Sequence, residues 1–167
     1  MITQFLPDLM KGKSELTNKH MVVQPVNKSK KYWMTDREFT SIIIGKEATD
    51  SEYVISDGIM VPGGFVPEHF HKWEDQTFHV LEGELEAKIG DEYFKIEVGD
   101  TIQCPRGVTH FMKNIGSTNA RLLSYIFPGD WAEEFFAETS RQTKLGKRDL
   151  NVIEEKFGVV YTSSENE

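Results

Sequence analysis

The chain has 167 residues, a formal net charge of -8, and hydrophobic and charged fractions of 38% and 28%. That length is one domain's worth, enough to bury a core without metal or disulfide staples. The acidic balance argues against a nucleic-acid partner, whose affinity would come from clustered Lys and Arg, and the lone Cys104 excludes an internal disulfide and suits a reducing compartment.

No run approaches the roughly 18 apolar residues of a membrane helix. The stretch MITQFLPDLMKGKSEL lacks the basic region, apolar core and cleavage site of a secretory leader. The expectation is a soluble cytoplasmic protein with no membrane partner. Residues 1–39 read as an N-terminal arm, in which Ile2, Phe5, Leu6, Leu9 and Met10 have helix-like spacing but Pro7 limits any helix. The basic cluster NKSKK at 27–31 reads as a solvated loop.

From 40 to 127 the pattern changes to short alternating or apolar runs, among them EYVISDGIMV, QTFHVLEGELEAKIG, EYFKIEVGD and ARLLSYIF. Gly, Asp, Asn or Pro separates them at intervals of roughly ten residues, which predicts an all-β antiparallel sandwich or small barrel. Residues 128–167 read as a C-terminal helical extension. Asp130 followed by Glu133 predicts a capping box opening WAEEFFAETSRQ, with Phe135, Phe136 and Thr139 on one side. A second helix is predicted from Asp149 through Leu150, Val152, Ile153 and Phe157, stopping at Gly158. Both are amphipathic and too short to stand alone, so they should pack on the barrel or on a partner subunit.

Three of the five histidines carry a pattern. Residues i and i+2 of a strand share a face, so His69 and His71 place two imidazoles side by side. Gln76 opens the next run and shares parity with apolar Phe78 and Val80, which puts it inside. His110 follows the turn CPRGVT and shares its face with Met112. Three imidazoles and a side-chain oxygen converging inside a barrel suit a divalent metal. Phe78 and Met112 then line an apolar pocket for a small organic molecule. Asp75 is the competing fourth ligand, although its parity is that of Thr77 and His79; Glu68 reads as a surface or outer residue, and Cys104 as a small buried apolar group.

From Gly63 the chain reads Gly, five residues, His69, one residue, His71, four residues, Gln76, six residues, Gly83; from Gly99 it reads Gly, five residues, Pro105, Arg106, Gly107, two residues, His110, three residues, Asn114. These stretches resemble the two signature motifs of the cupin superfamily, with Gln76 where the family usually has Glu. The 15 intervening residues, 84–98, match the spacing in small single-domain cupins, and the C-terminal part is similar to that of quercetin dioxygenase-like members. The resemblance implies a jelly-roll β-barrel over 40–127, usually as a homodimer. It further implies one divalent transition metal (Fe, Mn, Ni or Zn) on His69, His71, Gln76 and His110, and a dioxygenase acting on a small oxygen-bearing substrate.

Gln76 modifies that expectation. A neutral amide leaves the site one charge unit more positive than a carboxylate would, which hinders loss of an electron from the metal and favours Lewis-acid chemistry. An amide also cannot accept a substrate proton. A redox-neutral lyase or isomerase is therefore the second expectation, since some manganese cupins with hydroxynitrile lyase activity resemble this chain in using three His and one Gln. A non-catalytic ligand-binding barrel is the third.

Overall fold

Alternation of buried and half-exposed side chains along the strands sets the architecture. In the computed structural model, which describes residues 29–162, the strands are β1 (Lys31–Trp33), β2 (Glu38–Ile44), β3 (Val54–Met60), β4 (Phe65–His71), β5 (Asp75–Glu82), β6 (Leu85–Ile89), β7 (Glu92–Ile96), β8 (Thr101–Cys104), β9 (His110–Asn114), β10 (Ala120–Phe127) and β11 (Val159–Tyr161). Two helices follow β10, α1 (Ala132–Lys144) and α2 (Leu150–Phe157). A six-stranded sheet of order β1-β2-β3-β10-β5-β8 faces a five-stranded sheet of order β11-β4-β9-β6-β7, and every recorded pairing is antiparallel. This is the all-β antiparallel architecture that the turn spacing predicts, and it is consistent with the jelly roll that the cupin resemblance implies.

Inward positions of both sheets form one apolar cluster, including Met60, Val80, Leu85, Ala87, Met112 and Leu122. Val80 and Leu85 are fully excluded from solvent, and burying each such side chain contributes roughly 1.5–3 kcal/mol. Gly83 lets the β5–β6 hairpin close over this layer: its φ is +86°, and a Cβ there would meet the Ala120 Cα at 2.7 Å.

A second cluster joins the helices to the barrel through Val54, Ile126, Phe135, Phe136, Ile153 and Phe157. The extension thus packs on its own barrel, where the Trp33 amide donates to Ser140 Oγ at 2.9 Å and Tyr32 lies 6.5 Å from Phe136. Of the arm expected over 1–39, residues 1–28 lie outside the described residues. The described remainder supplies edge strand β1 and the start of β2, so Lys31 belongs to a strand and not to a loop.

Of the two helix-end expectations, that for the second helix holds and that for the first does not. Asp149 caps α2 by accepting from the Val152 amide at 3.2 Å, and Gly158 ends it in the left-handed conformation at φ +66°. The capping box at Asp130 and Glu133 does not form. Helix α1 starts after Trp131 with no side-chain cap, because Glu133 Oε1 accepts instead from the Lys46 amide at 2.7 Å. The chain after Gly158 then adds a strand that the helical reading of the extension lacked: β11 pairs with β4, setting Val159 opposite His71 and Tyr161 opposite His69.

Candidate metal centre

The imidazoles come from neighbouring strands. Strands β4 and β9 set His69 directly opposite His110, after a register shift between Val66 and His69. Pro67 occupies that irregular stretch, where its missing N–H breaks no ladder bond. Its carbonyl accepts from His69 Nδ1 at 2.8 Å. The Val108 carbonyl accepts from His110 Nδ1 at 3.2 Å, and Glu74 Oε1 accepts from His71 Nδ1 at 2.8 Å. With each Nδ1 acting as donor, each neutral ring keeps a lone pair on Nε2.

Those Nε2 atoms converge. His69 and His71 bring theirs within 3.2 Å, and the three histidines offer ligand atoms all within 4.8 Å of one another. Among the described residues His110 Nε2 is buried without a hydrogen-bond partner. Lone pairs facing one another at this range repel unless a cation lies among them, so the donor set fits a divalent metal. Burial, reinforced by His110 and His71, holds the His69 imidazole well below its usual range. Burial together with His71 brings His110 down to about 3. Both rings are therefore neutral at neutral pH, the state a metal requires.

Gln76 is buried on β5, and its Nε2 donates to Ser124 Oγ at 2.9 Å across the β5–β10 pair. That bond occupies the amide nitrogen and leaves Oε1 as the amide's lone-pair donor. Asp75, the competing ligand, is turned to the other face. Its carboxylate accepts from the Arg106 amide at 2.8 Å and from Arg106 Nη2 at 2.7 Å, and the guanidinium holds its pKa below the ordinary value.

His69, His71 and Gln76 open onto a cavity of about 70 Å³, with Met60, Val66, Phe78, Met112 and Leu122 on its apolar surface. Hydroxyls of Thr40, Ser56 and Ser124 give one wall polarity, and Glu38, Arg148 and Tyr161 also line it. The space suffices for roughly five waters, so it suits a small molecule. Phe78 and Met112, the residues proposed for the pocket, are among those lining this cavity.

A family model described as "Cupin domain" matches residues 58–126, the segment holding all three histidines and Gln76. That segment of the chain is thus a cupin domain. Among curated relatives, this cupin is 30% identical over 70 residues to the polyketide synthase protein CurC of Streptomyces cyaneus, a match covering 42% of the chain and 46% of CurC. It is 21% identical over 103 residues to quercetin 2,3-dioxygenase of Bacillus subtilis, covering 62% of the chain and 30% of that enzyme. The cupin thus spans less than half the length of either relative. Among solved structures, KdgF from a Halomonas species superposes with a TM-score of 0.59 at 14% identity, covering 65% of this chain and 94% of that one. An RmlC-like cupin from Shewanella frigidimarina gives 0.58 at 15%, covering 68% and 96%. At such identities the superpositions establish the fold.

The cupin pattern left out two carboxylates. Glu74 follows His71 by three residues in a short turn and reads as a loop residue, yet it is only 3% exposed, with Oε1 on His71 and Oε2 without a partner among the described residues. It brings the negative charge that Gln76 lacks to the far side of an imidazole. Glu38 precedes the barrel motifs, and no spacing rule connects it to them. Among the described residues no helix is long and apolar enough to cross a membrane.

Proposed function

We propose that this cupin is a metal-dependent enzyme, a dioxygenase acting on a small oxygen-bearing organic molecule, with His69, His71, His110 and Gln76 as the ligands of its metal. The observation that carries the reading is the convergence of three Nε2 atoms whose rings are each tied back through Nδ1. A divalent transition metal held there supplies Lewis acidity and, where it is redox-active, a route for electrons to dioxygen. The chain supplies the rest. Glu74 fixes the tautomer of His71, Ser124 orients the Gln76 amide, and the apolar surface excludes bulk water from the substrate.

The likeness to quercetin 2,3-dioxygenase supports dioxygen chemistry, while the cavity volume favours a substrate smaller than a three-ring flavonol, such as a diketone or a simple catechol. Neutral Gln76 supports a second reading, a redox-neutral lyase or isomerase using the same metal as a Lewis acid. Oxygen uptake by iron- or manganese-loaded protein with diketones and catechols separates the two. Uptake is expected, and its failure with every member of both classes removes the dioxygenase. Elemental analysis of untagged wild type beside Gln76→Glu tests the ligand set: the carboxylate should raise metal occupancy, and equal occupancy would remove Gln76 from it. A homodimer, the usual state of the family, is part of the same proposal and is read by light scattering.

A further inference from the structure

With an amide at position 76, none of the four proposed ligands offers a base. The histidine Nε2 lone pairs face a common point, and Glu74 is committed to His71 Nδ1 at 2.8 Å. A substrate that binds as an oxygen anion must hand its proton to some other group in the cavity. Glu38 begins β2, pairs across the sheet with buried Met60, and lines the same cavity as His69, His71 and Gln76. Among the described residues no donor bonds its carboxylate, so its lone pairs are open to a substrate hydroxyl.

The neighbours of Glu38 suit it to proton transfer. Arg148, between α1 and α2, also lines the cavity; its Nη2 donates to the Met34 carbonyl, and its guanidinium lies 5.7 Å from the centre of the Tyr161 ring. Among the described residues the other ionisable groups lining the cavity are His69, His71 and Tyr161. Burial raises the Glu38 carboxyl to about 7 against the opposing pull of Arg148. A base poised near the working pH combines a useful ionised fraction with a useful driving force.

We propose that Glu38 is the catalytic base of this site, its carboxylate taking the hydroxyl proton of an enol or catechol substrate. The substrate O–H bond breaks, an O–H bond forms on Glu38, and the electron pair stays on the substrate oxygen; nothing is oxidised or reduced in the step. The role rests on the reading of the cupin as a metal-dependent enzyme for oxygen-bearing substrates.

Pentane-2,4-dione is a probe small enough for the cavity, and its enolate is distinguished from the enol by ultraviolet absorbance. Stopped-flow mixing of the probe with metal-loaded protein under argon reads proton removal without oxygen turnover. In wild type the rate of enolate formation should rise with pH through a midpoint at about 7. Glu38→Gln should lose that midpoint and slow by about 100-fold, with Glu38→Asp recovering part of the rate, while metal content and melting temperature show both variants folded and loaded. Wild-type rate and midpoint in Glu38→Gln would overturn the assignment of Glu38 and leave the metal-enzyme reading standing. Fully metal-loaded wild type that forms no enolate would overturn the substrate reading, and the base assignment with it.

Discussion

Glu74 offers the sharpest test of the proposed metal centre and its neutral fourth ligand. Its carboxylate accepts from His71 Nδ1 at 2.8 Å, with His71 4% and Glu74 3% exposed, so water cannot replace it cheaply. A buried hydrogen bond to a charged acceptor contributes about 1.5–3 kcal/mol, against about 0.5–1.5 for a neutral pair. Glu74→Gln keeps an acceptor but drops the charge, so it should cost about 1 kcal/mol, or about fivefold in metal affinity. Glu74→Ala leaves the Nδ1–H buried without an acceptor and frees the ring to rotate, and should cost roughly 10–100-fold. Competition with a chromophoric chelator for Zn²⁺ or Mn²⁺ at neutral pH measures all three proteins, with circular dichroism confirming the fold. The expected order is wild type, then Gln, then Ala. Equal affinities would refute the claim that this carboxylate tunes the site.

Other substitutions probe separate features. Asp75→Asn should leave metal content unchanged, because that carboxylate is engaged with Arg106 on the opposite face; metal loss, read by elemental analysis, would restore Asp75 as a ligand. Glu38→Gln should stabilise the fold above pH 7 and not near pH 4. A carboxyl whose folded value is about 7 against 4.5 unfolded makes the native state bind more protons between those values, so wild-type stability falls as pH rises across the window. Discounted for half-burial, the gain is on the order of 1–2 kcal/mol, read by urea denaturation at the two pH values, and a gap that does not open with pH would contradict it. Cys104 is 1% exposed and its thiol is pushed up to about 12 by burial. Iodoacetamide should therefore label it only after unfolding, and rapid labelling of native protein would show the barrel interior to be open.

Much of the site was legible because strand parity is a local property. His69 and His71 share a face whatever else the chain does, and the inward parity of Gln76, Phe78 and Val80 agrees with their burial on β5. The capping box at Asp130 and Glu133 failed because a distant backbone donor, the Lys46 amide, competed for the Glu133 carboxylate. Nothing in the spacing announces that. Glu74 was hidden for a related reason: a polar residue in a three-residue connection reads as exposed unless the direction of the turn is known. Glu38, Arg148 and Tyr161 are brought together only by the packing of the C-terminal extension against the first strands, which depends on contacts far apart in the chain.

Strand β11 ties Val159 and Tyr161 to the same backbone that carries His71 and His69, while the Lys72 amide donates to the Gly158 carbonyl at 2.8 Å. Docking of this strand and occupancy of the metal site are therefore linked equilibria. Whatever free energy the strand supplies to fixing the two imidazoles, bound metal returns to the strand in equal measure. Loading the cupin with metal should slow amide exchange at residues 159–161, and removing those residues should weaken metal binding by the corresponding factor. The last strand becomes a substrate-independent gauge of whether the centre is filled.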